Sequence, residues 1–191
     1  MWRKPGFWLT LVLVLLLGLV AVLAAGPWLA MRGIENGLTE RSPATLSRHI
    51  DFPALRINLK AQLSDHLVRA AGVDVQANRF GALALGAASQ LAGAGVDAVV
   101  TPAGVITLLH GQGVWRRATG QRVNQDTYAA PAPPAPFQRV DWRYESPSRF
   151  TATRRNDQGQ PTTFVFERRG LRWQLVDVQL ADPAALLHLL D

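Results

Sequence analysis

The feature that most constrains this chain is a long uncharged stretch near its N-terminus. No acidic or basic residue occurs between Lys4 and Arg32, and Phe7 to Ala25 consists almost entirely of leucine, valine, alanine and aromatic residues. These nineteen residues would extend about 28 Å as an α-helix, which matches the hydrocarbon thickness of a bilayer. The sequence therefore predicts a membrane-spanning helix over residues 7–25.

The residues flanking this stretch predict its orientation. Residues 1–6 include Arg3 and Lys4, and the positive-inside rule retains such a basic N-terminus in the cytoplasm. Everything after residue 26 is then exported. A cleaved signal peptide is the alternative, because residues 22–24 are small enough for a peptidase, but the apolar run is longer than a signal core and favours an uncleaved anchor.

The remainder of the chain has the composition of one globular domain. About 160 residues follow the apolar stretch, which is room for a single moderate core. Hydrophobic residues make up 48% of the chain and charged residues 18%, a balance that argues against disorder. Cysteine is absent, which excludes disulfides, thiolate nucleophiles and cysteine-containing zinc sites.

The net charge of +6 comes mainly from the second half of the chain. Residues 111–180 carry 11 arginines and 6 acids, whereas residues 32–110 carry 7 basic and 6 acidic residues. An exported domain meets lipid head groups and anionic envelope polymers rather than nucleic acid. We therefore predict a preference for anionic surfaces and no nucleic-acid partner, with a merely solvated sheet face as the alternative.

Residues 26–110 are predicted to be helical. Ser42 followed by Pro43 indicates a short helix to about His49. An amphipathic helix of about four turns follows, with Asp51 as its N-cap. Leucine recurs there at every fourth position, at Leu55, Leu59, Leu63 and Leu67.

Residues 80–96 carry no charge and consist mainly of alanine, glycine and leucine. A close-packed core helix and a second membrane segment are both compatible with this composition. Ser89, Gln90 and the glycines make the segment weakly hydrophobic, which favours the core helix. Thr101 and Pro102 then begin another short helix.

Residues 111–136 lack periodicity and end in a proline- and alanine-rich run, which is typical of an extended linker. From residue 137 onward, apolar and polar residues alternate with a period of two, which predicts four antiparallel strands. Turns are expected at residues 146–148, 156–159 and 169–170, where Gly170 supplies a positive φ.

The last predicted strand, residues 171–180, has apolar residues at both parities. This pattern indicates a bulge or burial on both faces. Asp182 and Pro183 begin a closing helix, so residues 137–191 form a sheet with a short C-terminal helix and make one domain with residues 26–110. The predicted fold class is α+β: an N-terminal transmembrane helix, then several helices packed on a roughly four-stranded antiparallel sheet.

No motif of catalysis or cofactor binding occurs in a context that would make it work. Residues 93–98 match the relaxed GxGxxA dinucleotide pattern, but they lie in an alanine-rich helical stretch with no strand before it. The sequence contains no GxSxG elbow and no phosphate-binding loop. The histidines form no HxxxH pair and lie far apart, at His49, His66, His110 and His188. We therefore predict no metal and no cofactor.

Three groups of residues are candidates for function. Asp51 and Arg56 mark a turn between two helices, although an N-cap role explains Asp51 without any substrate. A pocket between sheet and helices would be lined by Trp142, Phe164, Phe166 and Trp173. Contacts to an anionic surface would come from one basic rim at the hairpin ends, formed by Arg154, Arg155, Arg168, Arg169 and Arg172.

The run from His49 to Leu63, HIDFPALRINLKAQL, resembles the signature of the bacterial family called domain of unknown function 2939. Supporting matches are residues 26–28, 80–83 and 99–104. The resemblance covers about residues 26–110. It implies a Gram-negative envelope protein, here a single-pass inner-membrane protein with a periplasmic C-terminal domain, and it carries no catalytic residue.

The order of helices and sheet is also similar to the cone folds of nuclear transport factor 2-like and cystatin-like proteins. This likeness covers about residues 33–63 and 137–180 and is one of fold, which does not assign function.

Two functions are therefore compared. The first is a non-enzymatic, membrane-anchored domain that binds an envelope protein or an anionic envelope component through its sheet and basic rim. The second is a small-molecule binder or enzyme with a cone-fold pocket and Asp51 as a possible base. The absence of a reactive constellation favours the first.

Overall fold

The computed structural model describes residues 5–107, 136–155 and 159–181, and for residues 5–7, 9 and 19–23 the backbone alone. The predicted linker, the tip of the turn at 156–158 and the closing helix lie outside the described residues, apart from the last residue of the linker. The named elements are α1 (Pro5–Thr39), α2 (Pro43–His49), α3 (Phe52–Ala77), α4 (Arg79–Val99), β1 (Val140–Ser146), β2 (Arg149–Arg155), β3 (Pro161–Arg169) and β4 (Arg172–Leu180). Residues 102–107 are also helical. The α+β class with a four-stranded antiparallel sheet is confirmed.

Helix α1 is longer than the stretch predicted to span a membrane. It continues through Pro27 to Thr39 without a break, for 35 residues. Its two halves differ in environment, because large apolar side chains between Trp8 and Leu17 are exposed. The second half instead contributes a buried stripe with helical spacing, formed by Ala30, Met31, Ile34 and Leu38.

The predicted caps of α2 and α3 are confirmed. Ser42 Oγ accepts a hydrogen bond from the Thr45 amide at 3.3 Å, and Asp51 Oδ1 accepts one from the Ala54 amide at 3.1 Å. Each bond satisfies one of the free amide groups at a helix start. The leucine spacing in α3 is also confirmed, since Leu55, Leu59 and Leu63 are buried.

Helix α3 extends well past the four turns predicted for it. It reaches Ala77, but Gly72 interrupts the helical path with φ +75° and ψ 171°. Only glycine adopts such a conformation without steric strain. The part of α3 after Gly72 is therefore redirected away from the core.

Helix α4 forms as predicted, but its predicted burial in the core is wrong. Only Ala92 and Val96 of this helix are buried, and Phe80, Leu83 and Leu91 are among the most exposed apolar side chains. Among the described elements α4 packs mainly on α3, which turns away at its own C-terminal end. Within the described part of the chain, α4 is also the one helix that is long and apolar enough to cross a membrane.

The sheet has the strand order β1-β2-β3-β4, with every neighbouring pair antiparallel. Gly170 has φ +66° in the β3–β4 turn, as predicted. The bulge in β4 is confirmed, because Val165 pairs with Asp177 while Phe166 pairs with Leu175. The extra residue is Val176, and it is buried together with Leu175.

The helices pack on one face of this sheet around one apolar core. Phe150 and Phe166 are completely buried there. Polar contacts fix α3 to β4: Asn58 Nδ2 donates to the carbonyl of Val176 at 2.9 Å. This contact satisfies the carbonyl of the bulged residue, which lies outside the regular strand pairing.

Candidate functional site

The structure explains Asp51 by local architecture. Its Oδ1 caps α3, its amide donates to the carbonyl of Leu175 at 2.9 Å, and its Oδ2 lies 3.7 Å from Arg169 Nη2. Arg56 forms no ion pair in the part of the chain that the structure describes. The predicted functional turn therefore joins α3 to the β3–β4 hairpin through Asp51, without Arg56.

The four aromatic residues predicted to line a pocket do share the helix-facing side of the sheet. Their environments differ. Phe166 is fully buried, with its ring centroid 6.1 Å from that of Phe150, whereas Trp142 is 57% exposed at the edge strand. Phe164 packs edge-on against Phe137 at 5.0 Å. Phe164 and Phe166 thus pack against other aromatic side chains of the core, Trp173 lines a different cavity described below, and a pocket lined by all four residues stays a prediction.

The arginines predicted to form one basic rim fall into two groups, and that part of the prediction is wrong. Arg154 and Arg155 lie at the β2–β3 turn. The second group, at the β3–β4 turn, consists of Arg168, Arg169 and Arg172. About 20 Å of strand β3 separates the groups. The reason is topological, because successive turns of an antiparallel meander lie at opposite ends of the sheet.

A cavity that the sequence did not predict lies beside the β3–β4 turn. It has a volume of about 360 Å³ and is formed by α1, the end of α2 and the hairpin. We call it the hairpin cavity. Its lining residues are Gly26, Leu29, Ala30, Arg48, His49, Leu171, Arg172 and Trp173.

Two glycines on one face of α1 bring the walls of this cavity together. A Cβ atom at Gly26 would lie 2.1 Å from Trp173 Cδ1, and one at Gly33 would lie 2.3 Å from His49 Nε2. These separations are far below van der Waals contact. Helix α1 therefore lies directly against both rings, and larger residues at these positions would open the site.

The hairpin cavity carries a positive charge. Burial lowers the pKa of His49 below its usual value, and the charges of Arg48 and Arg172 lower that pKa further. The nearby carboxylates of Asp51 and Glu167 are instead paired with Arg169, at 3.7 and 3.6 Å. Among the described residues, Arg48 and Arg172 therefore face the cavity region without a carboxylate partner.

An aromatic cluster attaches the edge of the sheet to α1 next to this cavity. The ring of Trp28 lies 5.2 Å from that of Trp142, 5.9 Å from Tyr144 and 5.4 Å from Phe150. The hydroxyl of Tyr144 donates to the carbonyl of Ala24. The sheet thus contacts α1 at the last residues of the predicted span.

The described residues offer little for catalysis. They contain no group of three or more histidine and acidic side chains that could hold a metal ion. Burial raises the pKa of Asp177, and Gln62 Nε2 donates to its Oδ1 at 2.9 Å. Asp177 does not line the hairpin cavity. Its contacts fasten α3 to β4, which is a structural role.

Comparison with known proteins identifies the helical part. The chain matches the model of the family described as "Protein of unknown function (DUF2939)" over residues 15–108. Residues 15–108 therefore belong to this family. No curated protein and no solved structure matches the chain. The matched region contains Arg48 and His49 and ends before Arg172, so the family region and the sheet each supply part of the hairpin cavity.

Proposed function

We propose that this protein is a single-pass inner-membrane protein, with residues 7–25 as its span and a periplasmic domain that binds a partner without catalysing a reaction. The observation that carries the proposal is the division of α1. One continuous helix has an exposed apolar first half and a second half that belongs to the core. Because the helix is continuous, it would hold the domain at a fixed distance from the membrane.

The exposed first half of α1 favours lipid as its environment. The seven consecutive side chains from Leu11 to Leu17 are all apolar and all at least 40% exposed. Successive helical residues are rotated by about 100°, so these side chains face every direction. A neighbouring helix would cover one face, whereas lipid covers them all. Burying seven such side chains stabilises the anchored state by about 10–20 kcal/mol.

The binding role is supported by the distribution of charge and by the packing of the core. Arginine groups lie at both ends of the sheet. The aromatic side chains of the core pack against one another, so a partner would bind at the surface. Arginine is suited to carboxylate and phosphate recognition through paired hydrogen bonds. An envelope protein or an anionic envelope component fits this surface.

Fractionation and a topology reporter fused after Asp191 test the anchoring. We expect the full-length chain in the carbonate-resistant membrane fraction, with a reporter that is active only in the periplasm. The double variant Val14→Arg/Leu15→Arg should reduce membrane insertion, because each arginine at the centre of a span costs about 2.5–3.5 kcal/mol. Leu83→Arg/Leu91→Arg on α4 is the matched control and should leave fractionation unchanged.

Recovery of the wild-type chain from the soluble cytosol, or a cytoplasmic reporter, would show that the proposal is wrong. Release of the chain by the α4 variant but not by the α1 variant would assign the anchor to α4 and would also contradict it.

Crosslinking in intact envelopes tests the binding role. A photoreactive residue at position 154 should give a discrete crosslinked species that is lost when Arg155 is replaced by glutamine. Repeated failure to enrich any species from this position, or from position 168 at the other end of the sheet, would remove the support for a binding function.

A further inference from the structure

We propose that the hairpin cavity binds the phosphate of an anionic phospholipid in the leaflet that faces the domain. The inference rests on the proposed anchoring through residues 7–25. It assigns one anionic ligand to a cavity that the sequence patterns did not indicate.

The depth of the cavity is set by its position on α1. Gly26 lines it and directly follows the predicted span, and Leu29 and Ala30 lie one helical turn further on. Because α1 is continuous here, Gly26 to Ala30 covers about 6 Å along the membrane normal if the helix is upright. The polar layer of one leaflet is about 5–8 Å thick. The cavity therefore lies at the level of the lipid phosphates.

Two arginines belong to the walls of the cavity. Arg48 and Arg172 present two guanidinium groups, the side chains that form paired hydrogen bonds with phosphate oxygens. In the described structure the acids of this end, Asp51 and Glu167, pair with Arg169. An anion can therefore compensate the charge on Arg48 and Arg172 without displacing an internal ion pair.

Two exposed leucines form an apolar margin of the cavity. Leu171 is 80% exposed at the tip of the β3–β4 turn, beside Gly170, and Leu29 is 56% exposed on α1. Hairpin tips normally carry polar residues. An exposed leucine at this depth is well placed to contact the first methylenes of an acyl chain while the arginines hold the phosphate.

The volume of the cavity suits a lipid head group. A volume of about 360 Å³ lies at the lower end of the range for small-molecule sites, about 300–1,000 Å³. It suits a phosphodiester with its glycerol and leaves the acyl chains in the bilayer. A soluble phosphate shares the same chemistry, so the experiment must separate the two sources.

The test is lipid retention by the purified full-length protein. The wild-type chain would be placed in bilayer discs that contain equal amounts of phosphatidylglycerol and phosphatidylcholine. The lipids that remain bound after release from the discs would be counted by native mass spectrometry. We expect phosphatidylglycerol to be retained in preference, and the preference to fall about 30-fold in Arg48→Gln/Arg172→Gln, because two arginine contacts to lipid are removed.

The matched control is Arg139→Gln/Arg143→Gln, which removes the same charge from β1 and the residue before it, where no binding role is assigned. This control variant should still retain phosphatidylglycerol in preference to phosphatidylcholine. Both substituted pairs are exposed, so folding should survive, and circular dichroism would verify this. The single variant Arg172→Gln, in the exposed turn, should lose part of the preference for phosphatidylglycerol. It measures the contribution of Arg172 separately from that of Arg48.

Each outcome decides the proposal. Equal losses in the two double variants, or no loss in Arg48→Gln/Arg172→Gln, would show that no specific lipid site exists here. Displacement of the retained lipid by millimolar inorganic phosphate would make a soluble anion the ligand and would overturn the lipid assignment. Failure of the anchoring would appear separately, as wild-type protein that does not enter the discs.

Discussion

Replacement of Asn58 by alanine should destabilise the domain by about 1–2 kcal/mol. Val176 is the extra residue of the β4 bulge and is only 3% exposed, and its carbonyl accepts from Asn58 Nδ2 at 2.9 Å. Without Asn58 this buried carbonyl loses its partner, and an unsatisfied buried acceptor costs about 1–3 kcal/mol. The lower part of that range applies, because water can reach the partly buried side chain of Asn58.

The assay is thermal unfolding of the full-length protein in detergent, followed by tryptophan fluorescence. For a domain of this size the expected loss lowers Tm by about 2–8 °C. Gln174→Ala is the matched control, because it removes the same kind of bond, from Gln174 Nε2 to the carbonyl of Arg48 at 3.2 Å, at an exposed position. Gln174→Ala should change the free energy of unfolding by no more than about 0.5 kcal/mol. A Tm for Asn58→Ala equal to the wild-type value, or the same decrease in both variants, would refute the reasoning.

Two further predictions concern the hairpin cavity. Gly26→Val should lower Tm by several degrees, since its Cβ would meet the buried ring of Trp173. Gly86→Val, in open space on α4, should change the free energy of unfolding by less than about 0.5 kcal/mol, because valine has a slightly better helix propensity than glycine. The lowered pKa of His49 means that the unfolded chain binds the proton more readily, so stability should fall between pH 7 and pH 5. His49→Gln should flatten that decrease, and an unchanged slope in His49→Gln would contradict the assignment.

Several elements could be predicted from neighbouring residues alone. Ser42 and Asp51 cap their helices as predicted, because a cap depends on side chains within one helical turn. Gly170 sits at its turn because the turn requires a positive φ. The apolar residues of both parities in β4 indicated the bulge that the structure contains at Val176.

The candidate site could be predicted only in part. Arg172 was identified from its place at a hairpin end, but Arg48 and His49 were not connected with it, because α2 and β4 are far apart in the sequence. The prediction of one basic rim is wrong for a related reason. Arg154 and Arg168 both lie near hairpin turns, and adjacent turns point to opposite ends of the sheet.

Sequence alone determined the helix starts, the turn positions, the four strands and the apolar stretch at residues 7–25, since each depends on side chains within a few residues of one another. Tertiary packing decided that α1 continues into the core, that α4 is largely exposed, and that Arg48 and Arg172 border one cavity. Local patterns specify which face of an element is apolar, but not which other element covers that face. At the hairpin cavity, α1 is the element that covers Trp173, because Gly26 allows the helix to approach the ring closely.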